Sequence, residues 1–256
     1  MKSFVAFLKK DFLEELRCAR LLITTALFVL LGIMNPAVAK LTPWFLEIFS
    51  DSLAGSGIVI TDIKVSAIDS WVQFFKNIPI GLIAFVLLHA SVFTNEYNRG
   101  TLVLSLTKGL KRYKVILSKS LLLISVWSVL YWMCFGITYL YNDFYWDNST
   151  VGNIAFSVFC TWLFGMFVIS LLVLFSAFLD STGSVLLGCG GIILLSYIIG
   201  FVPKLNKYLP TFLSDGTSLI YGTSGPKSYV VAIIITALLS IFCFLASVVL
   251  FRKKQL

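Results

Sequence analysis

The sequence predicts an all-α membrane protein of six transmembrane helices, and three observations predict it. First, 59% of the 256 residues are hydrophobic and 12% are charged, with a mean hydropathy of +0.95. A soluble domain carries about 25% charged residues to keep its surface in water, and this chain has too few to coat a globule. Second, the apolar residues come in long runs. Crossing a hydrocarbon core of about 30 Å takes roughly 20 apolar residues at about 1.5 Å rise each. Six runs reach that length, near 21–39, 74–93, 116–140, 154–179, 184–202 and 229–250. Third, the basic residues are asymmetric. With the N-terminus taken as cytoplasmic, fourteen fall inside: Lys2, Lys9, Lys10, Arg17, Arg20, Arg99, Lys108, Lys111, Arg112, Lys114, Lys119, Arg252, Lys253 and Lys254. Six fall outside: Lys40, Lys64, Lys76, Lys204, Lys207 and Lys227. Basic residues accumulate in cytoplasmic loops, so both ends are expected in the cytoplasm. The net charge of +8 is then explained by topology, and nucleic-acid binding is not expected.

In chain order, residues 1–20 lack spanning length and are expected to lie in the membrane interface. Phe4, Leu8, Phe12 and Leu16 repeat every four residues, with Lys9, Lys10, Glu14 and Arg17 on another face, an amphipathic pattern that suits an interfacial helix. No cleavable signal is read there, because the first long apolar run starts at Leu21. Outer residues 40–73 carry Pro43, Gly55 and Gly57. Spans four and five are divided by Asp180–Gly183, a tight polar turn that implies a helical hairpin. Residues 203–228 are apolar but broken by Pro203, Pro210, Gly216, Gly222, Gly225 and Pro226, which predicts short re-entrant helices at the outer interface. One transmembrane domain over 1–256 is the natural count.

The missing chemistry narrows the function. The central turns of the spans hold essentially no Asp, Glu, Lys or Arg, where an ion-coupled carrier places its coupling charges. His89 is the one candidate there, and a lone histidine near a helix end more often packs than relays protons. Gly183 to Gly188 has the glycine spacing of a phosphate loop, but Cys189-Gly190 stands where Lys and Ser/Thr are needed. Gly188, Gly190 and Gly191 fit close helix packing instead. The five cysteines form no C-x-x-C pair and read as small buried residues, with no metal site. No acid pair or nucleophile motif marks an enzyme. Asn148-Ser149-Thr150 is a formal glycosylation sequon of low specificity.

The strongest constellation is the cytoplasmic loop 94–115. A helix end carries Glu96, Gly100-Thr101 breaks it, a short apolar turn follows at 102–106, and a basic return runs through Lys108, Lys111, Arg112 and Lys114 to Lys119. A small helix held under the bundle by its leucines is expected, with its polar residues free to meet a partner. Glu96-Tyr-Asn-Arg99-Gly100-Thr101, followed by Arg112 and Lys119, resembles the permease subunits of type-2 ABC exporters. In that family the second helix ends in E-x-x-x-G-T and a P-x-S-R segment leads into a third helix that carries a lysine. Here Lys108-Gly109-Leu110-Lys111 replaces the usual Pro-x-Ser.

The resemblance implies a transport subunit without its own nucleotide site, in a bacterial plasma membrane, with ATP and Mg bound by a separate cytosolic ATPase. Glu96, Arg99, Gly100 and Thr101 would form the ATPase-coupling region, and Arg112 and Lys119 would anchor its return. A second permease copy, identical or a close paralogue, would complete the path, lined by the second and fifth spans. Those spans offer Phe85, Leu88, His89 and Tyr197. So apolar a lining suits amphipathic or hydrophobic cargo such as a peptide, lipid or drug. An ion-coupled carrier or channel acting alone, and a non-transporting immunity or sensor partner, remain the alternative readings.

Overall fold

In lipid a backbone must pair its own polar groups, so each long apolar run closes into a helix. The computed structural model describes residues 2–54, 65–98, 100–107, 109 and 111–254. The helices are α1 (Lys2–Arg17), α2 (Arg20–Ala54), α3 (Ala67–His89), α4 (Ser91–Asn98), α5 (Thr101–Thr107), α6 (Arg112–Tyr145), α7 (Ile154–Phe178), α8 (Thr182–Gly200), α9 (Pro203–Asn206), α10 (Thr217–Ile220) and α11 (Val230–Lys253). Among the described residues, six stretches are long and apolar enough to cross a membrane: those of α2, α3 with α4, α6, α7, α8, and α11 with the turn before it.

Two helices run past their expected ends. The first apolar run is expected to stop at residue 39, but α2 continues past it through Lys40 and Pro43. α6 lengthens with it to Tyr145, and the Lys40 ammonium sits 3.5 Å from the centre of the Tyr145 ring. That cation–π contact satisfies a charge that reads in sequence as a helix exit.

The helices pack as a bundle in which α2 lies against α3 and α6, and α7 lies against α6, α8 and α11. Lipid is as apolar as leucine, so close packing and interhelical hydrogen bonds hold the spans together. Gly165 of α7 meets Trp127 of α6 so closely that a Cβ there would come within 2.2 Å of the indole. Gly188 of α8 packs on Phe175 in the same way, whereas Gly190 and Gly191 have nothing within 4 Å of a Cβ, so close packing applies to the first of the three alone. A polar rung joins three spans: Asn77 Nδ2 donates to Asn35 Oδ1 at 2.8 Å, and Asn35 Nδ2 to Thr138 Oγ1 at 3.0 Å. Enclosure is uneven. Of the apolar window of α7, 67% is buried, against 11% for α8, which leaves α8 a bare apolar surface.

At the end of the bundle away from the termini, Trp71 Nε1 donates to Asn148 Oδ1 at 3.1 Å, and Asn148 Nδ2 donates to the Tyr139 carbonyl at 3.1 Å. The sequon asparagine is therefore buried and committed to packing. Residues 203–228 form α9, α10 and two single-turn 3-10 helices at Pro210–Ser214 and Pro226–Tyr229. Tyr229 stacks on Phe212 with ring centres 4.3 Å apart and donates its hydroxyl to the Asp215 carbonyl at 3.0 Å.

Candidate functional site

The other end of the bundle gathers α1, α4, α5, the start of α6, the α7–α8 turn and the end of α11. α1 turns its apolar stripe outward: Val5, Phe12, Leu13 and Leu16 are exposed, while Phe7, Asp11 and Glu15 face the bundle. That inward face repeats every four residues, so one helical stripe brings two carboxylates inside.

Those carboxylates enter an ion cluster with the end of the second span and the start of the third. Glu96 of α4 is 3% exposed and Lys119 of α6 is 2% exposed. Lys119 Nζ lies 3.2 Å from Glu96 Oε2 and 3.8 Å from Asp11 Oδ1, and donates to the Val92 carbonyl at 3.1 Å. Lys10 pairs with Glu96 from the more exposed side. Ser118 Oγ donates to Asp11 Oδ2 at 3.1 Å. Beside them Arg20 Nη1 donates to Glu15 Oε1 at 3.0 Å. Burial pushes the Asp11 carboxyl up to about 6 and raises Glu15, since both lose water around the charged form. The carboxylates of Asp11, Glu14 and Glu96 come within 4.8 Å of one another, but Lys10 and Lys119 stand among them and supply the positive charge a metal ion would otherwise bring.

Glu96, expected in the ATPase-coupling region, is buried and braces α4 against α1 and α6. Arg99 lies outside the described residues. Gly100 adopts a left-handed φ of 65°, which glycine reaches without steric cost, and Thr101 then opens α5. Leu102 is buried, so α5 is held under the bundle as expected. Arg112 donates to the Phe251 and Arg252 carbonyls, each at 3.4 Å, and to the Lys254 carbonyl. It thus ties the start of α6 to the end of α11.

An apolar groove of about 370 Å³ runs between α3, α7 and α8, lined by Pro79, Leu82, Ile83, Val86, Leu87, Phe164, Val168, Leu186, Cys189, Gly190, Ile193, Leu194 and Tyr197. Of the residues assigned to a path from sequence, Tyr197 lies on this wall. Phe85 and His89 face the opposite way: both are buried, the rings stack 4.2 Å apart, and His89 Nδ1 is 2.9 Å from the Phe85 carbonyl. Leu88 is half-buried and is not among the lining residues. Sequence reasoning missed Lys10, Asp11, Glu15, Arg20 and Ser118. The available signal was the Phe7, Asp11, Glu15 spacing on a helix already recognised as amphipathic.

A six-span helical bundle with a braced arm after its second span and an open apolar groove defines a multi-pass membrane protein. The chain belongs to the ABC-2 family transporter proteins, whose sequence profile matches residues 5–203. It is therefore a membrane-spanning permease subunit of an ABC transporter. Comparison with curated proteins and with solved structures returns no match.

Proposed function

We propose that this permease subunit exports amphipathic or hydrophobic cargo, a peptide, lipid or drug, through a path completed by a second permease copy, with ATP and Mg bound by a separate cytosolic ATPase. The observation that carries this reading is the α4–α5 arm. It is pinned by a buried ion pair to two other helices, so a push on the arm reaches the spans instead of being lost in a mobile loop. The end that bears it is the basic one, which supports a cytoplasmic placement of both termini. The exposed faces of α3 (Ile80, Ile83, Leu87) and α8 (Leu187, Leu194, Ile198) flank the groove and support pairing there with a second copy. An ion-coupled carrier has less support, since His89 is stacked inside the bundle away from the groove.

The test is affinity purification of the chain from its own membrane together with any ATP-binding subunit it retains, followed by reconstitution in lipid nanodiscs. ATP hydrolysis by the complex, stimulated by apolar cargo, is expected. Val86→Trp, which fills the groove, should cut cargo transport by roughly tenfold or more while ATP hydrolysis persists. Failure of any ATP-binding subunit to co-purify would sink the exporter reading and favour an immunity or sensor role. Cys18, the exposed cysteine next to α1, should label with a charged maleimide from the cytoplasmic side.

A further inference from the structure

The side of α4 away from the ion cluster makes a second set of contacts, and these lead to α8. Thr94 Oγ1 and Thr182 Oγ1 are 2.7 Å apart. Tyr97 donates its hydroxyl to the Ser176 carbonyl at 2.8 Å. Lys254, just past α11, lies over the Tyr97 ring with its ammonium 3.7 Å from the centre. The same ammonium is 2.7 Å from Asp180 Oδ1 and donates to the Leu179 carbonyl at 3.2 Å. One lysine thus joins the arm to the α7–α8 turn, and its backbone is held in turn by Arg112.

We propose that Tyr97, Lys254 and Asp180, with the Thr94–Thr182 contact, form a latch that transmits displacement of the α4 arm to α8, the wall of the apolar groove. They act as positioning residues for transport, and this rests on the permease reading above. The argument is mechanical. Val185 and Cys189 are the fully buried residues of α8 and Gly188 packs on Phe175, so α8 is held along one face, against α7, while its exposed face leaves it room to tilt about that contact. Thr182 is its first residue and Asp180 lies two residues earlier. A shift of α4 therefore reaches α8 at its base, where the latch grips it, and moves the groove lining beyond. The cation–π contact and the ion pair come from one side chain that is itself 8% exposed. Removing Lys254 releases both at once.

Two arms test the latch. In the chain alone, in nanodiscs, amide exchange is followed by mass spectrometry. Lys254→Met should speed exchange over residues 179–186 and over 94–98 together, by roughly 2- to 10-fold, as expected for loss of one or two net hydrogen bonds. Lys254→Arg, which keeps the cation over Tyr97 and within reach of Asp180, should restore the parent rates. Tyr97→Phe should speed exchange at 179–186 without touching that segment. In the complex with its ATPase, an environment-sensitive probe at Leu194→Cys on a Cys18→Ser background should report ATP-driven movement of α8. Lys254→Met should reduce that signal at least roughly threefold, with ATP hydrolysis within about twofold of the parent. The latch is overturned if exchange rises only near residue 254, or if the α8 signal survives Lys254→Met unchanged. Absence of any ATPase from the parent complex would instead count against the permease reading, and the first arm would still decide whether α4 and α8 move together.

Discussion

Replacement of Glu96 by Gln decides whether this residue is an internal strut or a contact for a partner. Gln keeps the shape and removes the charge. At 3.2 Å the Glu96–Lys119 attraction is about 5 kcal/mol at an effective dielectric of about 20. Lys119 retains Asp11 at 3.8 Å and the Val92 carbonyl, so part of the loss is recovered. Breaking a buried pair from one side costs about 3–5 kcal/mol, and the remaining partners place Glu96→Gln near 3. For a chain of this size that is a fall in melting temperature of roughly 6–12 °C, read by thermal shift in detergent. Lys119→Met in the same background should recover part of the loss, because the stranded ammonium is then gone. Lys10→Ala should cost less than about 1 kcal/mol, since that side chain is 43% exposed and water screens it. A melting temperature for Glu96→Gln within about 1 °C of the parent would refute the strut. So would a double variant weaker than the sum of the single ones.

Other outcomes follow from the same geometry. Asp11 titrates at 3.8 when free and at about 6 when docked, so docking of α1 takes up a proton. Its stabilisation is complete below pH 4 and is lost as pH rises through 6; acidification from pH 7 to 5 should favour docking roughly tenfold, with Glu15 adding in the same direction. Slower amide exchange across residues 7–15 at pH 5, after correction for intrinsic rates, is the readout, and Asp11→Asn should flatten the dependence. Gly165→Ala should destabilise by at least about 1–3 kcal/mol through the clash with Trp127, while Gly190→Ala should leave the melting temperature unchanged. Asn148→Ala strands the Trp71 N–H and should cost about 1–3 kcal/mol. Intact mass of the chain expressed in a glycosylating host should show no added glycan at Asn148.

The spans were legible because lipid leaves the backbone one economical choice, and twenty apolar residues in a row announce it. The 203–228 segment was legible as broken structure because its prolines and glycines interrupt any long helix. The α2 extension was not, since Lys40 and Pro43 read locally as an exit, and the ring that accommodates the lysine sits about a hundred residues away on α6. Which of the candidate path residues line the groove is not legible in sequence for a related reason. Phe85, Leu88 and Leu82 are equally apolar in sequence, and only helix rotation in the bundle decides which face the groove.

For the candidate site, sequence determined that Glu96, Gly100, Thr101, Arg112 and Lys119 belong to one loop and the helix that follows it. Order along the chain and the charge asymmetry carry that information. Tertiary structure alone decided that Glu96 turns inward, and that Asp11 and Glu15 leave the charged face of an amphipathic helix to meet Lys119 and Arg20. It also brought Lys254 across to Tyr97 and Asp180. The physical reason is common to these cases: a charge withdrawn from water is stable only where an opposite charge, a carbonyl or an aromatic face meets it. Apart from the local Glu15–Arg20 pair, those partners are contributed by helices distant in sequence, and the packing of the bundle brings them together.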